Sequence, residues 1–244
     1  MAKGFIFAKN YKKWYNKIGE NMSLEILYED NHLIVAIKPA GILSQEDQTK
    51  DADMLTLLKY YIKDKYNKPG NIYLGLVHRL DRPVGGVMVF AKTSKAASRL
   101  SEEVRTNKIH KTYLAVVHGI LDKKCDKLIN KMSKDQKTHN SYIDEKNGKE
   151  AVLEYKVIKE EDNLSLLKIN LITGRHHQIR VQLSNFGHSI FGDQKYGTRG
   201  QGKQIALWAY KLTIEHPISK EKMTFTDLPD TVGTWCILKD IHNL

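Results

Sequence analysis

Cysteine is almost missing from this chain: Cys125 and Cys236 are the only two, far apart and in no paired-ligand spacing. A disulfide framework and a cysteine-based zinc site are excluded as organising features, and such usage suits a reducing compartment. Long apolar runs are missing too, and none could span a bilayer. The apolar stretch Gly4–Ala8 is too short for a signal peptide, and the N-terminus lacks the arginine and serine of a transit peptide. A cytoplasmic protein is expected. Acidic residues are in deficit: 28 Asp and Glu stand against 39 Lys and Arg, a net charge of +11 over 244 residues. An excess of that size points to a polyanionic partner, because each neutralised phosphate releases condensed counterions. A solvated basic surface explains the charge equally well. No basic amphipathic helix stands out, which argues against a membrane surface.

What is present is the composition of a folded domain, with 41% hydrophobic and 27% charged residues. There is no linker and no internal repeat, so one domain over residues 25–244 is the simplest division. Residues 1–24 stand apart as a basic N-terminal extension. There Lys3, Lys9, Lys12, Lys13 and Lys17 face only Glu20, with Tyr11, Trp14 and Tyr15 interleaved. Such a mixture can grip single-stranded nucleic acid by charge and stacking, but a loosely ordered extension is the preferred reading.

Strand patterns recur from Glu25 onward. Glu25–Tyr28 and His32–Ile37 flank an Asp30-Asn31 turn, and Lys38-Pro39-Ala40-Gly41 ends the second, since proline cannot continue a ladder. Met54–Tyr66 has helical periodicity. Gly86–Lys92 is apolar on both faces, as a central strand is. Thr93 or Ser94 then caps a helix marked by Ala97, Leu100 and Val104. Further strands are expected at Thr112–His118, Val152–Ile158, Ser165–Ile172, Ile205–Glu215 and Lys222–Thr226. Residues 122–150, polar and without period, read as a loop or hairpin insertion. His177–Phe186 fits either strand alternation or a helix stopped by Gly187, and helix is preferred. Strands outnumber helices without regular alternation, so the expected class is α+β, a mixed and largely antiparallel sheet flanked by helices and loops.

Three segments concentrate chemistry. His78-Arg79-Leu80-Asp81-Arg82-Pro83-Val84-Gly85-Gly86 places charge on a short loop between apolar strands. It inverts the order of the kinase catalytic loop, and no Asp-Phe-Gly accompanies it. Lys111-Thr112-Tyr113-Leu114 lies on a strand, with Tyr113 and Leu114 on opposite faces. Gly174-Arg175-His176-His177-Gln178-Ile179-Arg180 packs donors suited to a phosphate or an ionised carboxylate, and Gly192-Asp193-Gln194-Lys195-Tyr196-Gly197 follows downstream. His176 and His177 lack a third ligand and are expected to point apart, which argues against a metal. Gly197–Lys203 has the glycine spacing of a phosphate-binding loop. Gln204 stands where Ser or Thr would hold magnesium, however, so a flexible basic loop is expected.

Together, in this order, the three segments resemble the RluA family of pseudouridine synthases, and the likeness runs from about Glu25 to Leu228. The resemblance implies that Asp81 is the catalytic carboxylate, Tyr113 the active-site tyrosine and Arg180 the basic residue paired with Asp81. It further implies that Arg79 helps displace the target base. Three departures accompany it: Val84-Gly85 stands where Thr-Ser or Val-Ser is common, His176 where Thr is common, and Gln182 where His is common. Too few residues precede the first motif to build the S4 domain that relatives often carry.

The implied reaction breaks the C1′–N1 bond of uridine, turns the uracil and joins C5 to C1′, with no cofactor and no metal. The partner is then RNA, ribosomal or transfer, and a monomer is expected. An ionised carboxylate near C1′ answers the positive character that develops on the sugar. Arg180 would keep Asp81 charged, and Tyr113 would stack on the uracil and assist loss of the C5 proton. Ile179 would pack on the base, while Lys111 and Arg175 would hold phosphates. A non-catalytic RNA-binding or ribosome-assembly factor is the main alternative, and it predicts loss of Asp81, Tyr113 or Arg180. A glycoside hydrolase would require a second carboxylate in the same motifs.

Overall fold

The computed structural model describes residues 24–197, 202, 204–239 and 241. The basic extension up to residue 23 and most of the Gly197–Lys203 loop lie outside the described residues. The chain divides into two compact units, residues 1–109 with 214–225 and residues 110–213 with 226–244.

In the first unit, β1 (Ile26–Glu29) and β2 (Leu33–Lys38) pair antiparallel. Their turn is set by Asp30, whose Oδ1 accepts the N–H groups of His32 and Leu33, both at 2.7 Å. Strand β2 is buried along its whole length because it is covered on both faces. Its antiparallel neighbour β4 (Gly85–Ala91) is equally buried, and the short β3 (Gly75–Leu76) also pairs with β4. Helix α1 (Met54–Lys65) starts at Asp53, whose carboxylate accepts Thr56 N–H at 3.0 Å. It buries Met54, Leu58, Tyr61 and Ile62, the face its periodicity predicts. Thr93 is the N-cap of α2 (Ser94–Arg105).

In the second unit the strand order is β10-β5-β9-β8-β6-β7, formed by β5 (His110–His118), β6 (Cys125–Lys134), β7 (Ser141–Ile143), β8 (Lys149–Glu161), β9 (Leu164–Leu171) and β10 (Leu207–Glu215). The pairings from β10 to β7 are all antiparallel. Strand β11 (Lys222–Thr226) falls in the first unit up to Phe225. The polar stretch after residue 122 forms the hairpin β6–β7, and β6 runs on against β8 from Cys125↔Lys156 to Met132↔Lys149. Exposure alternates along β6, but Ile129 points outward and Asn130 inward, so hydrophobicity does not follow the pleat.

The ambiguous segment is a helix, α3 (Gln178–Asn185), buried at every position from Gln178 to Leu183. That all-round burial is why its apolar residues also fit a strand. Gly187 ends it at φ +90°, with its N–H on Ser184 O and the His188 N–H on Leu183 O. This is the paired-bond glycine stop. The class is α+β, as expected. No helix among the described residues is long and apolar enough to cross a membrane.

Gly192 holds φ +73°, and a side chain there would come within 2.2 Å of the Gln204 carbonyl oxygen. Gly192→Ala should therefore cost about 3 kcal/mol or more, lowering the unfolding temperature by roughly 10 °C in a chain of this size. Thermal unfolding by circular dichroism checks this, and an unchanged midpoint would show that the approach is not tight.

Candidate active site

Asp81 sits half-buried in the loop between β3 and β4, in the first unit. Leu80 and Val84 anchor that loop in the core on either side of it. Ser44 grips the Leu80 peptide from both sides, accepting its N–H at 3.1 Å and donating to its carbonyl at 2.8 Å. The Val84 N–H closes a turn on the Asp81 carbonyl at 3.0 Å. His78 accepts the Val89 N–H through Nε2, tying the loop's entry to β4. Arg82 is exposed, donates from Nε to Gly41 O at 3.1 Å and pairs with Asp51 at 2.9 Å. Arg79 is exposed on the same loop.

Lys38 is the last residue of β2 and does more than end that strand. In the fold it is fully buried, opposite Gly86 across the ladder. Its ammonium donates to the carbonyls of Ile42, Arg82 (3.0 Å) and Pro39 (3.1 Å). Burial pushes the Lys38 ammonium down to about 7, the Asp81 carboxylate acts to raise it, and the Arg82 guanidinium acts to lower it. Three oxygen acceptors match the three N–H bonds of the charged form. Lys38 thus fixes both chain segments that frame Asp81.

In the second unit Arg180 lies on α3 and is buried. Its Nε and Nη2 form a bidentate pair with Asp193 at 2.8 and 2.7 Å. Burial works to raise the Asp193 carboxyl, but the Arg180 guanidinium and the N–H groups of Lys195 and Tyr196 outweigh it and hold the group below its ordinary value. Tyr196 presents its ring to the guanidinium, 5.1 Å from the centroid. Its hydroxyl accepts the Ser141 N–H at 2.9 Å and meets His177 Nδ1 at 2.7 Å. Asp193 and Tyr196 lie in the Gly192–Gly197 segment, where no local pattern in the sequence marks a partner for Arg180.

One expectation is overturned. His176 and His177 do not diverge: the rings stack with centroids 3.7 Å apart and planes at 28°. His177 has left-handed backbone at φ +55°, which breaks the local repeat on which the expectation rested. His176 Nδ1 lies 2.8 Å from Ser141 Oγ, so the β6–β7 hairpin is tied to this loop. Gln178 holds the loop's other side, its Oε1 accepting from Arg175 N at 2.9 Å and Thr173 Oγ1 at 2.8 Å. Gln182 donates to Asn130 Oδ1 at 2.9 Å and Ala151 O at 3.1 Å.

Tyr113 and Lys111 are two positions apart on β5 and therefore share a face. Tyr113 and its neighbour Leu114 are both buried, so β5 is covered on both sides. Burial lowers the Lys111 pKa. A side chain on Gly174 would lie 3.8 Å from its ammonium, which puts Lys111 at the start of the Arg175–Arg180 segment. Arg175 is exposed and donates to Glu150 O at 2.7 Å, while Ile179 is buried. Asp81 and Arg79 thus belong to one unit, and Tyr113, Lys111, Arg175, Ile179 and Arg180 to the other. Cations presented on a rigid scaffold suit phosphates, and a carboxylate fixed near a buried ammonium suits a reaction that builds positive charge.

The sequence profile described as RNA pseudouridylate synthase matches residues 32–185. A "Ribosomal large subunit pseudouridine synthase D" from Zymomonas mobilis is 32% identical over 220 residues, covering 84% of this chain and 69% of that protein. A "tRNA pseudouridine synthase C" from Haemophilus ducreyi is 31% identical over 229 residues, covering 86% and 92%. Among solved structures, "Human RNA Pseudouridylate Synthase Domain Containing 4" superposes with a TM-score of 0.71 at 22% identity, over 84% of this chain and 89% of that one. That likeness supports the fold.

Two stability experiments test the buried charges. Asp193→Asn leaves Arg180 buried against a neutral amide and should cost about 3–5 kcal/mol in denaturant unfolding; a loss under about 1 kcal/mol would contradict the pairing. Lys38 has a folded pKa near 7 against an ordinary 10.5. Between those values the unfolded chain binds more protons, so this group's contribution to stability rises with pH. The wild type should gain about 2 kcal/mol relative to Lys38→Met between pH 7 and 9. Parallel curves for the two proteins would contradict this.

Proposed function

Since this chain belongs to the RluA family of RNA pseudouridine synthases, we propose that Asp81 is the carboxylate with which it isomerises uridine in ribosomal or transfer RNA. The relatives named above as ribosomal large-subunit and transfer-RNA enzymes support those two substrate classes. The observation that carries the reading is the fixed loop: Asp81 is a half-buried carboxylate between Leu80, whose carbonyl accepts from Ser44, and Arg82, whose carbonyl accepts from Gly41 N–H and the Lys38 ammonium.

The chemistry follows from charge. As C1′–N1 breaks, the ribose becomes cationic and the uracil takes the electron pair. A carboxylate held near C1′ stabilises that charge, either by bonding to C1′ or by accepting the C2′ proton as a glycal forms. The uracil then turns, C5 bonds to C1′, and the C5 proton leaves. N1, freed from the ribose, takes up a proton in place of the one lost from C5, so the product is an isomer of uridine and no net oxidation occurs.

In this reading Tyr113 stacks on the uracil and assists the loss of the C5 proton. Arg180, fixed by Asp193, is the cation that keeps the reacting carboxylate charged and oriented. Ile179 packs against the base. The target nucleotide must leave its stack, which costs a few kcal/mol, on the order of 3. Arg79 entering the vacated space, with Lys111 and Arg175 on neighbouring phosphates, offsets that cost.

Asp81→Asn keeps the side-chain shape and removes the charge. It should bind RNA as the wild type does while tritium release from RNA carrying 5-tritiated uridine falls at least about a thousandfold. Release at the wild-type rate would sink the assignment.

A further inference from the structure

Tyr66 is the C-cap residue of α1 and is 45% exposed, unlike Tyr61 on the turn before it, which is buried. An exposed tyrosine alone carries no argument. What distinguishes Tyr66 is how its ring is held and what surrounds it. Its hydroxyl donates to Glu29 Oε1 at 3.0 Å. The same oxygen accepts from the Lys92 ammonium at 2.7 Å, while Glu29 Oε2 takes Lys65 Nζ at 2.6 Å and the Tyr61 hydroxyl at 3.1 Å. Burial works to raise the Glu29 carboxyl, but the Lys65 and Lys92 bonds hold it below its ordinary value, so it stays charged. One carboxylate at the end of β1 therefore gathers two lysines and two tyrosines.

Three ammonium groups lie around the Tyr66 ring: Lys92 at 5.1 Å, Lys65 at 5.3 Å and Lys68 at 5.4 Å from its centroid. Lys92 is the buried member, and its side chain is 9% exposed against 36% for Lys65. A helix dipole accounts for basic residues in the last turn of α1. It does not account for Lys68, beyond the helix, or for Lys92, after β4. Three cations against one carboxylate leave the patch net positive around an aromatic face whose orientation is already fixed. An apolar partner would be opposed by this charge. A nucleotide is suited to it, because bases stack on tyrosine and phosphates take ammonium groups.

We propose that Tyr66, with Lys65, Lys68 and Lys92, is a stacking site for an unpaired base of the RNA, a contact in the first unit separate from the Asp81 loop. It rests on the reading of this protein as an RNA-modifying enzyme. The ring receives the base face, and Lys65 and Lys68 take the adjacent phosphates. The site contributes to RNA affinity and leaves the chemical step alone.

The test uses the full chain, a short fluorescein-labelled oligouridylate read by anisotropy, and single-turnover tritium release from total RNA. Tyr66→Leu should weaken oligouridylate binding about tenfold, with an unchanged rate at saturating RNA. Tyr66→Phe keeps the ring and should bind within about threefold of wild type. Lys68→Gln, which leaves the Glu29 cluster intact, should lower the salt slope of binding by about 0.7. Wild-type affinity in Tyr66→Leu together with an unchanged slope in Lys68→Gln overturns the proposal. So do equal losses in the Phe and Leu variants, which would assign the effect to the Glu29 bond. A wild-type protein that releases tritium but does not bind oligouridylate overturns this site alone. One that does neither overturns the enzymatic reading, and the site falls with it.

Discussion

A lysine ammonium removed from water must be surrounded by oxygen, and in this chain that requirement organises the reactive loop. Stripping the charge of solvent costs several kcal/mol, on the order of 5. Hydrogen bonds to a charged group return about 1.5–3 kcal/mol each. Three carbonyl acceptors around Lys38 offset part of that cost, and the part they leave shows as the lowering of the Lys38 pKa to about 7. The offset holds only while Pro39, Ile42 and Arg82 all point their carbonyls inward. Any motion of the Asp81 loop that withdraws the Arg82 carbonyl exposes a buried charge, so the loop is rigid because the lysine is buried. Proline at position 39 contributes by having no N–H to compete.

The second unit solves a related problem with a different group. Arg180 is a planar cation, and Asp193 meets it with two parallel bonds while two backbone N–H groups keep that carboxylate charged. Tyr196 covers the guanidinium with its ring, and its hydroxyl is pinned by Ser141 and His177. The β6–β7 hairpin thereby acquires a purpose beyond extending a sheet, because it holds the side chains that hold Arg180. Gly192 makes the approach to Asp193 possible, since no side chain fits against the Gln204 carbonyl.

Where hydrophobicity follows geometry, the sequence was easily read. Strands β2, β4 and β9 and helices α1 and α2 lie within a residue or two of their expected bounds, because continuous apolar runs and 3.6-residue repeats have direct structural meaning. The reactive loop was legible as charge set between apolar strands. Three features were not fully so. The β6–β7 hairpin was legible only as one of two alternatives, and the bounds of β6 not at all, because Ile129 faces outward while Asn130 turns inward to Gln182. Lys38 looked like a strand terminator, and only the burial of its whole strand makes it a structural cation. Asp193 is thirteen positions from Arg180, and no local pattern announces a pairing across a loop. The stacked histidines depend on one left-handed residue, His177, which is not a glycine and so gives no signal.

The central claim is that function rests on where one carboxylate is held as much as on its charge. Single-turnover tritium release by Asp81→Glu tests this most directly, since glutamate keeps the charge and moves it by one methylene. The account predicts a variant that folds and binds RNA normally yet reacts at least about a hundredfold more slowly, the usual consequence of a misplacement near 1 Å. A glutamate enzyme working at the wild-type rate would contradict it.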